Sequence, residues 1–117
     1  MSRIDRVNQQ VKREISKIIQ AELSDPRLEF VSITSADVSK DLRNARVYFS
    51  VLGDQSRAED AALGLNGAGG TIRGFLSRKL NMRNTPELRF YHDKSIEYSS
   101  MVEETLKEIN DEHNSDQ

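Results

Sequence analysis

Between residues 4 and 23 the apolar positions Ile4, Val7, Val11, Ile15 and Ile18 recur at intervals of three and four, which sets them on one face of an α-helix. Ser2 stands where a cap accepts a backbone N–H, and Ser24-Asp25-Pro26 ends the run because a residue before proline is driven out of the helical region. The period then changes. Residues 30–38 are rich in β-branched types, and Ala45, Val47, Phe49 and Val51 alternate with Arg46, Tyr48 and Ser50. Two strands are predicted, and the short polar link through Ser39, Asp41 and Asn44 closes them as an antiparallel hairpin.

A helical pattern returns over residues 56–82, first through Ala61, Ala62 and Leu65 and again through Ile72, Phe75, Leu76 and Leu80. Glycine interrupts it, at 64, 67, 69, 70 and 74. Each mid-helix glycine costs up to about 1 kcal/mol relative to alanine, so the pattern predicts two short helices meeting at a kink near Ala68. Pro86 opens a third strand over residues 88–92, and Ile96, Val102, Leu106 and Ile109 fit a last helix. Because a helical crossover of some thirty residues joins the second and third strands, they should lie parallel. An α+β domain follows, ordered α-β-β-α-kink-α-β with a C-terminal helix, its three-stranded mixed sheet covered by helices on one face. The domain spans residues 1–109, and residues 110–117, with no apolar face, form a flexible acidic tail.

Composition narrows the chemistry. The 117 residues contain no cysteine and two histidines, which removes disulfides and thiol catalysis and leaves no basis for a zinc or His-rich metal site. No apolar run approaches the roughly 18 residues of a membrane span, and no secretory signal opens the chain; a cytoplasmic protein with no membrane partner is expected. The formal net charge of −2 averages two opposed regions. Residues 3–17 hold five bases and two acids, residues 71–94 six and two, and residues 97–117 one base against seven acids. The body is basic and the end acidic.

Arg3, Arg6, Gln10, Arg13 and Lys17 fall within an arc of roughly 80° on the first helix, opposite its apolar face. Alone, such a stripe also describes a solvated helix face. A second basic set, Arg73, Arg78, Lys79, Arg83 and Arg89, follows the glycines, where backbone can approach a phosphate closely. Arginine donates two hydrogen bonds to one phosphate, and each neutralised phosphate releases counterions. RNA backbone is the expected partner, with Arg46 and Tyr48 as further contributors. All four phenylalanines fit core packing, while Tyr48 and Tyr91 lie on the polar phase of their strands and cover the open sheet face or stack on bases. No Walker sequence occurs, and His92-Asp93 point to opposite sides of a strand. No catalytic residue, metal site or cofactor is assigned.

The chain resembles the bacterial ribosome-binding factor A family over about residues 1–109. The resemblance rests on Arg3-Ile4-Asp5-Arg6-Val7, Asp25-Pro26-Arg27, Asp41-Leu42, Ala45-Arg46-Val47-Tyr48-Phe49-Ser50, Ile72-Arg73 and Pro86-Glu87-Leu88-Arg89-Phe90 with Asp93 and Ser95, in that order. It implies a KH-like type II domain in which an Ala-x-Gly interhelical kink, here Ala68, Gly69 and Gly70, replaces the Gly-x-x-Gly loop. Both Gly64-Leu65-Asn66-Gly67 and Gly67-Ala68-Gly69-Gly70 spell Gly-x-x-Gly, so an open loop stands as the alternative. The resemblance further implies a non-enzymatic, monomeric assembly factor. Such a factor binds free or immature 30S subunits and 16S rRNA late in maturation, supports 16S 5′-end processing, and is released with the help of an assembly GTPase. A general single-stranded RNA-binding module and a protein-interaction adaptor remain as other readings of the same residues.

Overall fold

The computed structural model describes residues 2–81 and 84–94. Helix α1 (Arg3–Glu22) starts from a capping box. The Ser2 hydroxyl accepts from the Asp5 N–H at 3.2 Å, and the Asp5 carboxylate accepts from the Ser2 N–H at 3.1 Å. Two orphan donors are satisfied at once, an arrangement worth about 1 kcal/mol. A 3₁₀ turn (Pro26–Leu28) follows, and then strands β1 (Val31–Val38) and β2 (Asn44–Val51). Gly53 turns the chain at φ +132°. Helices α2 (Gln55–Gly67) and α3 (Gly69–Leu80) come next, then strand β3 (Glu87–His92).

The sheet has the order β1-β2-β3, antiparallel between the first pair and parallel between the second. This is the mixed sheet that the hairpin link and the helical crossover predict. The predicted helix over 96–109 and the tail over 110–117 lie outside the described residues.

One register irregularity falls between Ile33 and Ser35. It explains why β1 buries Ile33, Ala36 and Val38, a step of three and then of two. The bulge at Thr34 resets the alternation so that all three side chains reach the same face. The Thr34 hydroxyl donates to an Asp93 carboxylate oxygen at 2.7 Å, tying the bulge to the end of β3.

Ala45, Val47 and Phe49 of β2 and Leu88 and Phe90 of β3 join this face. Val11, Ile15, Ile18 and Ile19 of α1, Ala61 and Leu65 of α2, and Ile72 and Leu76 of α3 close over it in one core cluster. The other face carries Arg46, Tyr48, Arg89 and Tyr91. Among the phenylalanines, Phe49 and Phe90 are buried and Phe75 is half-buried, but Phe30 does not join the core. It is 48% exposed, because it falls in the turn before β1, where its ring lies 5.9 Å from the Arg57 guanidinium.

β3 is an edge strand, and its outer side is occupied. The Asn66 amide accepts from the Phe90 N–H at 3.0 Å and donates to the Phe90 carbonyl at 3.2 Å and the Ala62 carbonyl at 2.9 Å. One side chain therefore imitates a neighbouring strand and pins the end of α2 to the sheet.

Candidate nucleic-acid interface

The glycine-rich stretch forms a one-residue kink and no open loop. Ala68, at φ −91° and ψ 2°, ends α2 and begins α3. Its N–H donates to the Gly64 carbonyl at 3.0 Å and its carbonyl accepts from the Ile72 N–H at 2.9 Å. The first Gly-x-x-Gly tetrapeptide lies inside α2. The glycines there do different things. A Cβ on Gly64 would stand 3.2 Å from the Asp25 carboxylate and 3.2 Å from Leu28, so the helix is bare where the 3₁₀ turn presses on it. Gly67, Gly70 and Gly74 face open space. Gly69 is buried near the Leu88 carbonyl.

The 3₁₀ turn is itself held by charge. Arg27 Nε and Nη2 donate to the Asp25 carboxylate at 3.0 and 2.7 Å. Those hydrogen bonds hold the Asp25 carboxyl below the usual carboxylate range and raise the Arg27 guanidinium. In the hairpin link the Ser39 hydroxyl, with the Arg43 N–H, lowers Asp41 in the same way.

The predicted cations among the described residues fall in several places. On α1, Arg3, Arg6, Arg13 and Lys17 are all exposed. Arg3 borders a groove of about 620 Å³ between the start of α1, the hairpin link and the end of α3, floored by Ile4, Val7, Leu42 and Leu80. Lys17 borders a second, of about 230 Å³, whose other wall is Phe75 and Lys79 of α3. The two basic segments therefore meet along the α1–α3 seam. Arg78 belongs to the same turn and lies 4.8 Å from the centroid of the Phe75 ring. Arg6 and Arg13 sit about 20° and 40° further round α1 than Lys17.

Carboxylates share the second groove. Glu14 is 3.8 Å from the Lys17 ammonium, and Glu22 lies at the rim. The Lys17 side chain is exposed and that of Glu14 half-buried, and at this distance the pair contributes little stability.

The remaining cations stand elsewhere. Arg73 is exposed, but its guanidinium donates to the Thr85 carbonyl at 3.1 and 2.8 Å, fastening α3 to the segment before β3. Arg46 is on the far side of the sheet from α1 and α3. Arg83 lies outside the described residues. One groove cation lies outside the predicted set, and one member of the second basic segment lies on the sheet. Lys40 of the hairpin link shares the groove of Arg3, and Arg89 is the register partner of Arg46. A loop lysine carries no periodic signal, and strand pairing sets Arg89 apart from the bases of α3 and beside Arg46.

Among the described residues, no helix is long and apolar enough to cross a membrane. Residues 3–106 match the family model of ribosome-binding factor A. The chain is 44% identical over 115 residues to the ribosome-binding factor A of Caldanaerobacter subterraneus, covering 97% of this chain and 94% of that one. To that of Acetivibrio thermocellus it is 45% identical over 109 residues, covering 92% and 89%.

Solved structures agree. The crystal structure of ribosome-binding factor A from Thermus thermophilus is similar with a TM-score of 0.72 at 29% identity, over 79% of this chain and 97% of that one. The solution structure of a Thermotoga maritima protein described as a putative ribosome binding factor A gives 0.70 at 34%, over 78% and 87%. A homology model of the Thermus factor, fitted into a cryo-EM map of its 30S complex, gives 0.63 at 31%, over 74% and 91%.

Proposed function

The chain belongs to the ribosome-binding factor A family, a family of ribosome-binding factors and not of enzymes, and on that premise we propose that it binds free or immature 30S subunits through 16S rRNA. In this reading it acts in the cytoplasm as a monomeric, non-catalytic factor of late small-subunit maturation. It supports 16S 5′-end processing, and an assembly GTPase takes part in its release. Residues 1–109 form the binding domain, and the acidic tail of 110–117 is dispensable for folding.

One observation carries the reading: Lys17 of α1 and Lys79 of α3 line the same groove. Arg78 is the chain neighbour of Lys79, and Arg3 and Lys40 border the other groove of the same α1–α3 seam, so that cations far apart in the chain offer one extended anion-seeking side. Arg6 and Arg13 extend it along the outer face of α1. Their role is phosphate contact, with Arg46, Arg73 and Arg83 as more distant contributors and the bare glycines beside Ala68 allowing close backbone approach. The fit of the Thermus factor into a 30S map supports the partner.

The test is co-sedimentation with purified 30S subunits. Lys17→Glu/Lys79→Glu should weaken binding at least tenfold with an unchanged thermal midpoint. For a single-stranded 16S fragment, about five neutralised phosphates give a slope of roughly −3 to −4 in log affinity against log salt. Full 30S binding by the double variant, or an affinity indifferent to salt, defeats the reading.

A further inference from the structure

The face of the sheet turned away from the helices carries side chains that the α1–α3 seam does not use. Alternation along β2 sends Arg46 and Tyr48 to it, and along β3 Arg89 and Tyr91. The parallel register sets Arg46 beside Arg89 and Tyr48 beside Tyr91. Two residue steps along a parallel strand span about 6.6 Å, so a cationic pair and an aromatic pair form one compact block. The two rings lie with centroids 5.8 Å apart and planes inclined by 34°.

The described residues do not close this block. Like charges directly opposed on neighbouring strands repel, yet neither guanidinium has an ion-pair partner among the described residues, although Asp37 is the register neighbour of Arg46. Tyr91 is 41% exposed. A groove of about 530 Å³ runs over the face, lined by Asp37, Arg46, Glu87, Arg89 and Tyr91. Glu87 stands at the end of β3 away from Tyr91, so with Asp37 it borders the block on its hairpin side, while beyond the tyrosines the Asp93 carboxylate is engaged by the Thr34 hydroxyl.

The geometry points to a second RNA-binding site on this open face, which takes an unpaired RNA strand by stacking a base on Tyr91 and Tyr48 and holding its phosphates between Arg46 and Arg89. Every base has a π-face, so a ring platform accepts single strands without regard to sequence, and a guanidinium fork suits the phosphate beside it. An apolar protein partner would need a contiguous hydrophobic patch, which a face of two arginines and two tyrosines does not offer. This inference rests on the RNA-binding reading above and adds a surface on the opposite side of the sheet.

The test uses the full chain and a fluorescein-labelled eight-nucleotide oligouridylate at low salt, read by anisotropy. Tyr91→Leu should weaken binding about tenfold and Tyr91→Phe less than twofold, since phenylalanine keeps the ring. Arg46→Ala/Arg89→Ala should weaken it at least tenfold and flatten the salt dependence. All three should melt within a few degrees of the parent. The chain has three tyrosines and no tryptophan, so stacking is also read as quenching of tyrosine emission that Tyr91→Leu diminishes.

Parental affinity in the sheet variants overturns the second site, and loss in Lys17→Glu/Lys79→Glu alone then leaves the helical surface standing. Weaker 30S binding with undiminished oligonucleotide binding assigns the face to a protein contact and overturns it too. If the parent chain does not bind the oligonucleotide, the sheet site is overturned, and co-sedimentation with 30S decides the helical surface separately.

Discussion

Helix α1 and the α2–α3 pair lie against the same sheet, yet they present themselves to it and to solvent by opposite means. In α1 both faces are made of side chains: isoleucines and valines inward, arginines and lysines outward, over twenty residues without a glycine. In α2–α3 the inward face is made of small residues beside a few large ones, and part of the outward face is the absence of side chains at Gly67, Gly70 and Gly74. The first helix offers charge at the end of long flexible arms. The second pair offers bare backbone held at a fixed angle by Ala68 and clamped by Asn66. A phosphate chain can be attracted by the one and approached closely by the other, so the two regions complement each other in function because they differ in chemistry.

That contrast is broken most forcefully in the core. Ile15 and Ile72 are both fully buried, one under each region. Either change to alanine should cost about 2–5 kcal/mol by urea denaturation with an unchanged slope. A loss below about 1 kcal/mol for Ile72→Ala would mean that α3 does not share the cooperative core of α1.

Next comes the clamp. Asn66→Ala removes three hydrogen bonds and leaves the backbone pair of Phe90 unsatisfied, a loss of about 1–3 kcal/mol. Exchange of the Phe90 amide should quicken more than that of Val47 in the central strand.

The smallest effect separates the glycines from one another. Gly74→Ala, in open space within α3, should raise stability by about 0.5–1 kcal/mol through helix propensity. Gly64→Ala should give no such gain, because its Cβ meets Asp25 and Leu28. Equal gains at both positions would show that the 3₁₀ turn does not press on α2 as described.

Much of this was legible in the chain. The period of three and four wrote α1, Ser2 its cap, and Pro26 its limit. The alternation in residues 45–51 named the buried and open faces of β2, and the run of glycines located the kink. Phe30 misled because aromatic character signals burial only when the backbone aims the ring inward, and a turn residue has no such constraint. The bulge at Thr34 left no period to read, since the β-branched run of β1 looks the same in either register. Of the candidate cations, Lys17 and Lys79 could be named but not paired, and Arg73 could not be told apart from its neighbours until Thr85 came within its reach.

Sequence by itself determined which faces are apolar, which are cationic and where the helical run must bend, because those properties repeat at the local spacing of each element. Tertiary structure alone decided that Lys17 meets Lys79, that Arg46 stands beside Arg89 across the sheet from them, and that Arg73 is tied to Thr85. Such pairings depend on strand register and on how α1 crosses α3, and those are set by long-range packing of the whole core. No interval along the chain encodes them.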